Sequence, residues 1–237
     1  EAEHIVFNGL FGGQKDEADF GAGMAAIVEG VCQIHGCPVA TVPLRAYHIS
    51  PDKGEIDMSM ERVARDGLVL LGCGKMGSAM LAGWLDQGLP PGSEHVIDPN
   101  PSAWVRGTGV HVNAALPAAP AIVLIAVKPQ MMGDALPQIA AMEGAVFLSV
   151  AAGTSIASFE AAFGASAKVI RAMPNTPAAV GQGITAIIGN AQASGDDLDM
   201  AEMLLSAVGQ VVRLDHEDQM DAVTGVSGSG PAYVFHM

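Results

Sequence analysis

The stretch Leu68-Val-Leu-Leu-Gly-Cys-Gly-Lys-Met-Gly77 decides the fold class of this chain. A strand-sized apolar run is followed at once by G-x-G-x-x-G, and helical spacing of apolar residues begins at Met76. In this context Gly72 makes the tight turn from strand to helix, Gly74 lets the backbone approach a phosphate, and Gly77 permits close packing of the helix on the strand. The N–H groups at the helix start would bind the phosphates of a dinucleotide.

An acidic residue follows the next strand-sized run. His95-Val-Ile97 is apolar in character and is followed by Asp98-Pro-Asn100. A carboxylate at the end of the second strand accepts hydrogen bonds from the ribose hydroxyls of a dinucleotide. A turn between strand and helix that binds nothing is the alternative, but strand, loop, helix and acidic residue together favour a dinucleotide site. We therefore predict cofactor contacts at Gly77, Asp98 and Asn100.

Strand and helix patterns alternate from residue 67 onward. The runs at residues 121–127 and 145–150 are apolar on both faces, which is typical of strands buried in a parallel sheet. Residues 169–173 and 184–188 are further strand candidates. Helical spacing is found at residues 76–85, 131–142, 156–163 and 200–208. Gly209 is expected to end the last of these helices. The alternation predicts an α/β fold with a doubly wound sheet.

Composition excludes several classes of protein. With 25 acidic and 11 basic residues, the formal charge is −14, which disfavours nucleic acids and anionic membranes as partners. Three cysteines do not make a disulfide framework in a chain of 237 residues, so a reducing compartment is expected. No apolar run has the length of a membrane span, and the N-terminus lacks the pattern of a signal peptide. We expect a cytoplasmic protein.

The first part of the chain differs from the rest. Residues 1–60 are interpreted as an N-terminal extension that ends in a turn-rich, charged linker, Ser50-Pro-Asp-Lys-Gly-Glu-Ile-Asp57. Cys32, His35 and Cys37 are too few for a structural zinc site, which needs four ligands, so buried thiols and no metal are expected.

Polar motifs recur where the predicted strands end, which is where open α/β sheets bind ligands. They are Ala126-Val-Lys-Pro129, Val150-Ala-Ala-Gly153, Met173-Pro-Asn-Thr-Pro177 and Ser227-Gly-Ser-Gly-Pro-Ala-Tyr233. Each is also compatible with ordinary loop chemistry, but four at one sheet edge indicate a site. Gly225-Val-Ser-Gly-Ser229 is not the G-x-S-x-G pattern of a hydrolase nucleophile.

Taken in order, these motifs resemble the pyrroline-5-carboxylate reductase family. The resemblance runs from about Gly67 to Met237, and its most specific part is Asp221-Ala-Val-Thr-Gly-Val-Ser-Gly-Ser-Gly-Pro-Ala-Tyr233. It implies a Rossmann-type dinucleotide domain over residues 61–220. Residues 221–237 would be the truncated start of an all-α dimerisation domain, so a homo-oligomer is expected of the complete protein.

The resemblance also implies site residues. Those expected to contact the cofactor, NAD or NADP, are Leu71, Gly72, Cys73, Gly74, Lys75, Met76, Asn113, Ala126, Val127, Lys128, Pro129, Val150, Ala151 and Ala152. The catalytic residues are unknown, and the candidates that would line the site are Asn175, Thr176, Ser227 and Ser229.

The family's reaction is hydride transfer from NAD(P)H to the C=N carbon of pyrroline-5-carboxylate, which gives L-proline. The expected partner is thus a small-molecule substrate, an imino acid. Catalysis consists mainly of aligning the nicotinamide ring with the ring of this substrate. In the family a loop beyond Tyr233 holds the substrate carboxylate, so residues 1–237 alone are expected to bind the cofactor without turnover. Asp98, with no Arg or Lys beside it, predicts that NADH serves at least as well as NADPH.

Two other functions remain open on the sequence. Another dehydrogenase of the same fold, such as a prephenate or 6-phosphogluconate type, would carry different motifs in place of Ser227–Tyr233. A dinucleotide-binding sensor without turnover would hold the oxidised cofactor and show no imine reductase activity.

Overall fold

A computed structural model describes residues 58–228 of the chain. Residues 1–57 of the predicted extension, with its linker and the Cys32–His35–Cys37 group, and Ser229 lie outside the described residues. None of the helices between residues 58 and 228 is long and apolar enough to cross a membrane.

Helices and strands alternate through most of the described chain. In order they are α1 (Met58–Asp66), β1 (Leu68–Leu71), α2 (Lys75–Asp86), β2 (Glu94–Ile97), α3 (Ala103–Gly107), β3 (His111–Val112), β4 (Ile122–Ile125), α4 (Met132–Ala135), β5 (Val146–Ser149), α5 (Ile156–Phe163), β6 (Lys168–Pro174), β7 (Gly183–Gly189), α6 (Gly195–Ser206), β8 (Gly209–Arg213) and α7 (Gln219–Val223). A π-helical turn, Thr224–Gly228, continues α7.

The strands form one sheet in the order β3-β2-β1-β4-β5-β6-β7-β8. The strands from β3 to β6 in this order are parallel to one another, and the order changes direction along the chain at β1, as expected of a doubly wound sheet. The predicted α/β fold is confirmed. The carboxyl ends of six strands therefore lie along one edge.

The sheet is not parallel throughout, because β7 runs antiparallel to β6. A parallel return needs a crossover of about a dozen residues or more. The connection between β6 and β7 holds only a short 3₁₀ turn, Thr176–Val180, followed by Gly181 at φ +71°. β8 then pairs in parallel with β7 and closes the sheet on that side.

Both faces of the sheet are covered. Leu68 and Leu70 of β1 pack in a cluster that includes Trp84 of α2 and Leu204 of α6. The Trp84 indole donates a hydrogen bond to the Leu204 carbonyl oxygen at 2.8 Å, which joins the two helices. Val69 of β1 packs on the opposite face in a cluster with the α5 side chains. Burying each of these large side chains contributes roughly 1.5–3 kcal/mol.

The predicted helix over residues 131–142 is wrong in its length. The α-helical part is Met132–Ala135, and 3₁₀ turns lie on either side of it. Pro137 lacks an N–H and its ring collides with the preceding turn, so a regular helix cannot pass through this position. Gly133 lowers the helical propensity further.

The predicted helix over residues 200–208 is displaced. It spans Gly195–Ser206 and begins with a capping box, in which the Ser194 hydroxyl accepts from the Asp197 N–H and the Asp197 carboxylate accepts from the Ser194 N–H. Capping by Ser194 starts the helix at Gly195, five residues before the start that the apolar spacing indicates.

Gly209 does not end that helix but is the first residue of β8. Its φ is +143°, and a Cβ on it would overlap the carbonyl oxygen of Gly183 in β7. The glycine is thus required by the close approach of two strands, which the sequence pattern around it does not reveal.

Candidate functional site

The glycine loop joins β1 to α2 at the carboxyl edge of the sheet. Leu71 is the last residue of β1, and Lys75 is the first of α2. Gly74 is the N-cap residue, and it has no side chain with which to accept the N–H groups of the first turn. Such N–H groups have no acceptor within the helix, so this turn offers donors to an anion.

Two of the three motif glycines are required by the protein itself. Gly72 has φ +90°, and a Cβ on it would lie 2.8 Å from Val127 Cγ1. A Cβ on Gly77 would overlap the Gly72 carbonyl oxygen, which confirms the close approach of helix and strand. A Cβ on Gly74, in contrast, would have no heavy atom of the described residues within 4 Å. The space beside Gly74 is therefore open, and it fits the predicted position of a phosphate.

Asp98 holds the glycine loop. One oxygen of its carboxylate accepts the Cys73 N–H at 2.7 Å, and the other accepts the Asn100 N–H at 2.7 Å. The Asp98 side chain thus links the end of β2 to the loop after β1. Its expected contact with a ribose stays a prediction, as does that of Asn100.

Asn113 fixes Asp98 in turn. Its side-chain Nδ2 donates to the Asp98 carbonyl oxygen at 2.8 Å, and its Oδ1 accepts from the Asp98 N–H at 3.0 Å. Asn113 itself has φ +49°, a conformation that asparagine tolerates better than most residues. The side-chain amide is therefore engaged with the protein, and its predicted contact with the cofactor remains untested.

The environment of the thiol in the loop disfavours its ionisation. Cys73 is buried, and burial raises the pKa of its thiol above the usual value. The Ser78 hydroxyl, which donates to the Cys73 carbonyl oxygen at 3.0 Å, also fixes the loop to α2. An uncharged thiol places no negative charge beside a bound phosphate.

Two further motifs lie at the same edge. The Ala126 N–H donates to the Leu71 carbonyl oxygen at 2.8 Å, and the Val150 N–H donates to that of Ile125 at 3.0 Å. Ala126 thus directly follows β4, the strand beside β1, and Val150 directly follows β5, the next strand in the sheet. The other predicted contacts here are half-buried or exposed Val127, Lys128, Pro129 and Ala152, and buried Ala151.

Asn175, a candidate for the site, has a structural role. It is buried, and its Oδ1 accepts the Ile184 N–H at 2.9 Å, which stabilises the turn from β6 to β7. Thr176 next to it is exposed. Neither observation tests a catalytic role.

The π-helical turn brings the serine-glycine motif to the same part of the sheet. A Cβ on Gly228 would lie 2.8 Å from Cε of Met173, which is near the carboxyl end of β6. Ser227 is buried, and its hydroxyl donates to the Val223 carbonyl oxygen at 2.9 Å. The part of the motif that ends at Gly228 therefore lies beside the carboxyl end of β6.

A mostly parallel sheet with a glycine-rich first turn, an open space at the second glycine and an acidic residue after the second strand defines a dinucleotide-binding protein of the Rossmann type. The sequence matches a family model described as "NADP oxidoreductase coenzyme F420-dependent" over residues 68–153.

Similar proteins narrow this class. The chain is 39% identical to a pyrroline-5-carboxylate reductase of Pseudomonas aeruginosa, over 75% of this chain and 66% of that protein. It is 34% identical to the enzyme of the same name from Schizosaccharomyces pombe, over 72% of this chain and 69% of that protein. The crystal structure of Plasmodium falciparum pyrroline carboxylate reductase with NADP bound aligns with a TM-score of 0.62 at 26% identity, over 73% of this chain and 66% of that one.

The chain belongs to the pyrroline-5-carboxylate reductase family. It spans slightly less than two thirds, 66%, of the Pseudomonas relative.

Proposed function

We propose that the complete protein reduces 1-pyrroline-5-carboxylate to L-proline with a hydride from NAD(P)H. The observation that carries the proposal is the convergence of the glycine loop, the ends of β4 and β5, and the π-helical turn on one edge of the sheet. The family relationship supplies the identity of the substrate, a small imino acid. We further propose that the protein is cytoplasmic and homo-oligomeric, and that neither nucleic acid nor membrane is a partner.

The residues of the described chain fit the cofactor. Backbone N–H groups at the start of α2 would bind the pyrophosphate beside Gly74, and the ends of β4 and β5 would lie along the nicotinamide half. When bound, NAD(P)H supplies the hydride. The protein's contribution is to hold the nicotinamide ring and the substrate in a fixed relative orientation, so that a bimolecular reaction becomes effectively unimolecular.

The charge of Asp98 supports NADH as a cofactor at least as good as NADPH. A 2′-phosphate on the adenosine ribose would meet the Asp98 carboxylate, and the stretch from residue 98 to residue 101 contains no Arg or Lys. The nearest basic residue in the chain is Arg106, which is exposed in α3. The Plasmodium relative with bound NADP is a reason to measure both cofactors.

The test uses the complete protein, synthetic pyrroline-5-carboxylate and each reduced cofactor in parallel. We expect cofactor oxidation that depends on the imino acid, with one proline formed per NAD(P)H consumed. Prephenate and 6-phosphogluconate, each offered with NAD and with NADP, should give no reduction of either cofactor. Tight cofactor binding without proline formation would support the sensor function instead.

A further inference from the structure

A buried arginine joins the sheet to the segment that leads out of it. Arg171 lies within β6, between Ser149 of β5 and Ile188 of β7, and only 7% of its side chain is exposed. Its Nη1 donates to Oε1 of Glu217 at 2.9 Å, and its Nη2 lies 3.7 Å from Oδ1 of Asp221. Because a buried guanidinium is costly unless it is paired, Glu217 compensates for its burial, while the exposed Asp221 contributes less.

Glu217 binds a second element through the same oxygen. Its Oε1 also accepts the N–H of Ile156, the first residue of α5, at 2.8 Å. A carboxylate at this end of a helix is further stabilised by the helix dipole. Arg171 and Glu217 together therefore connect β6, the start of α5 and the loop between β8 and α7.

The segment after Glu217 then packs over the end of β6. Met220 and Val223 of α7 form a small buried cluster with Ala186 of β7, and Met173 of β6 packs against it. This cluster is small for holding a segment by apolar contacts alone. The position of α7, and of the π-helical turn that follows it, thus depends also on the ion pairs of Arg171.

We propose that Arg171 is a positioning residue for the reaction. Acting through Glu217 and Asp221, it sets the position of α7 and the π-helical turn against the carboxyl end of β6. Under the proposed function, the candidate site residue Ser227 lies on that turn, so a shift of the segment would move the imino acid away from the nicotinamide. The inference rests on the proposed function, and a displacement of about 1 Å in such an arrangement can cost about 100-fold in rate.

The test compares Arg171→Met and Arg171→Lys with the wild type in the complete protein. For Arg171→Met we expect kcat/KM for pyrroline-5-carboxylate to fall by about ten- to 100-fold. The Kd of the reduced cofactor should stay within about twofold, since the glycine loop is not touched. Arg171→Lys should recover part of the loss, because one ammonium group can still pair with Glu217.

Arg213→Met is the matched control. Arg213 of β8 also pairs with two carboxylates, Glu202 and Asp199, but both belong to α6 within the nucleotide domain. It should lose stability and keep the kcat/KM of the wild type. If Arg171→Met does not fold, Glu217→Gln tests the proposal instead. This variant weakens the pairing with Arg171 but keeps an acceptor for the N–H of Ile156, and kcat/KM should fall as it does in Arg171→Met.

The outcomes separate the two proposals. A wild-type protein without imine reduction would overturn the proposed function and this inference with it. The inference alone would be overturned if the wild type is active and Arg171→Met keeps the kcat/KM of the wild type. Where Arg171→Met does not fold, the same result for Glu217→Gln would overturn it. So would an equal loss of kcat/KM in Arg213→Met, since the effect would then be a general consequence of destabilisation.

Discussion

Replacing Gly74 by alanine separates what the cofactor needs from what the protein needs. The added methyl group would have no atom within 4 Å in the part of the chain that the structure describes, and the backbone at Gly74, with φ −73°, accepts alanine. Gly-to-Ala at such a position changes the free energy of unfolding by less than about 1 kcal/mol. A phosphate packed against this backbone would meet the methyl group, and such overpacking costs roughly 1–3 kcal/mol.

That range corresponds to about a five- to 150-fold increase in the Kd of NADH or NADPH. Isothermal titration calorimetry would give the Kd, and thermal unfolding without cofactor would give the stability. Gly195→Ala is the matched control, because Gly195 also lies at the start of a helix, and no described residue has a heavy atom within 4 Å of where its Cβ would be. It should leave both quantities unchanged.

Gly77→Ala should show the opposite pattern, since its Cβ would overlap the Gly72 carbonyl oxygen in the absence of any ligand. We expect a lower melting temperature of the cofactor-free protein. An unchanged Kd in Gly74→Ala, with the protein folded, would refute the placement of the pyrophosphate beside this glycine.

Three further predictions concern charge and backbone approach. Burial raises the pKa of Glu94 to about 8, and neither of its carboxylate oxygens has a hydrogen-bond partner among residues 58–228. Its proton is held more tightly in the folded state, so the free energy of unfolding should fall by up to about 1.4 kcal/mol per pH unit between its unfolded-state pKa and about pH 8; urea titrations should show a flatter profile in Glu94→Gln. Asp98→Asn keeps an acceptor for the Cys73 N–H but removes the charge, and the ratio of kcat/KM for NADPH over NADH should rise about fivefold, equivalent to roughly 1 kcal/mol; an unchanged ratio would show that the carboxylate does not face the 2′ position. Gly209→Ala should destabilise the fold by more than about 1 kcal/mol, because the strand backbone leaves no room for a Cβ, and a melting temperature equal to that of the wild type would contradict this.

The parts of the site that could be predicted are encoded within short stretches. The glycine loop follows its strand immediately, and the strand-end motifs follow strands that are apolar on both faces. Parallel strands place their carboxyl ends together, so the sequence alone brings Gly72, Ala126 and Val150 to one edge. The family resemblance adds the identity of the substrate, which no local pattern contains.

What could not be predicted depends on contacts between distant backbones. The direction of β7 follows from a connection too short for a crossover, and Gly209 is required by the carbonyl of Gly183. The Pro137 break could have been found, since proline inside a helical pattern is a local signal. Arg171 also gave a signal, as a charged residue in an apolar strand, but its partners lie far along the chain.

The hydrogen bonds around Asp98 determine which donors remain for a phosphate. The Cys73 N–H already donates to the Asp98 carboxylate. The backbone N–H and carbonyl oxygen of Asp98 are in turn hydrogen-bonded to the Asn113 side chain, which fixes the position of Asp98. The donors left for an anion are therefore those at the start of α2, beginning at Gly74, where the helix dipole also acts. Because these bonds hold the loop without any ligand, little conformational entropy remains to be lost when a dinucleotide binds. The acidic residue thus has a use independent of the ribose: it fixes the geometry of the loop and directs the phosphate toward the helix.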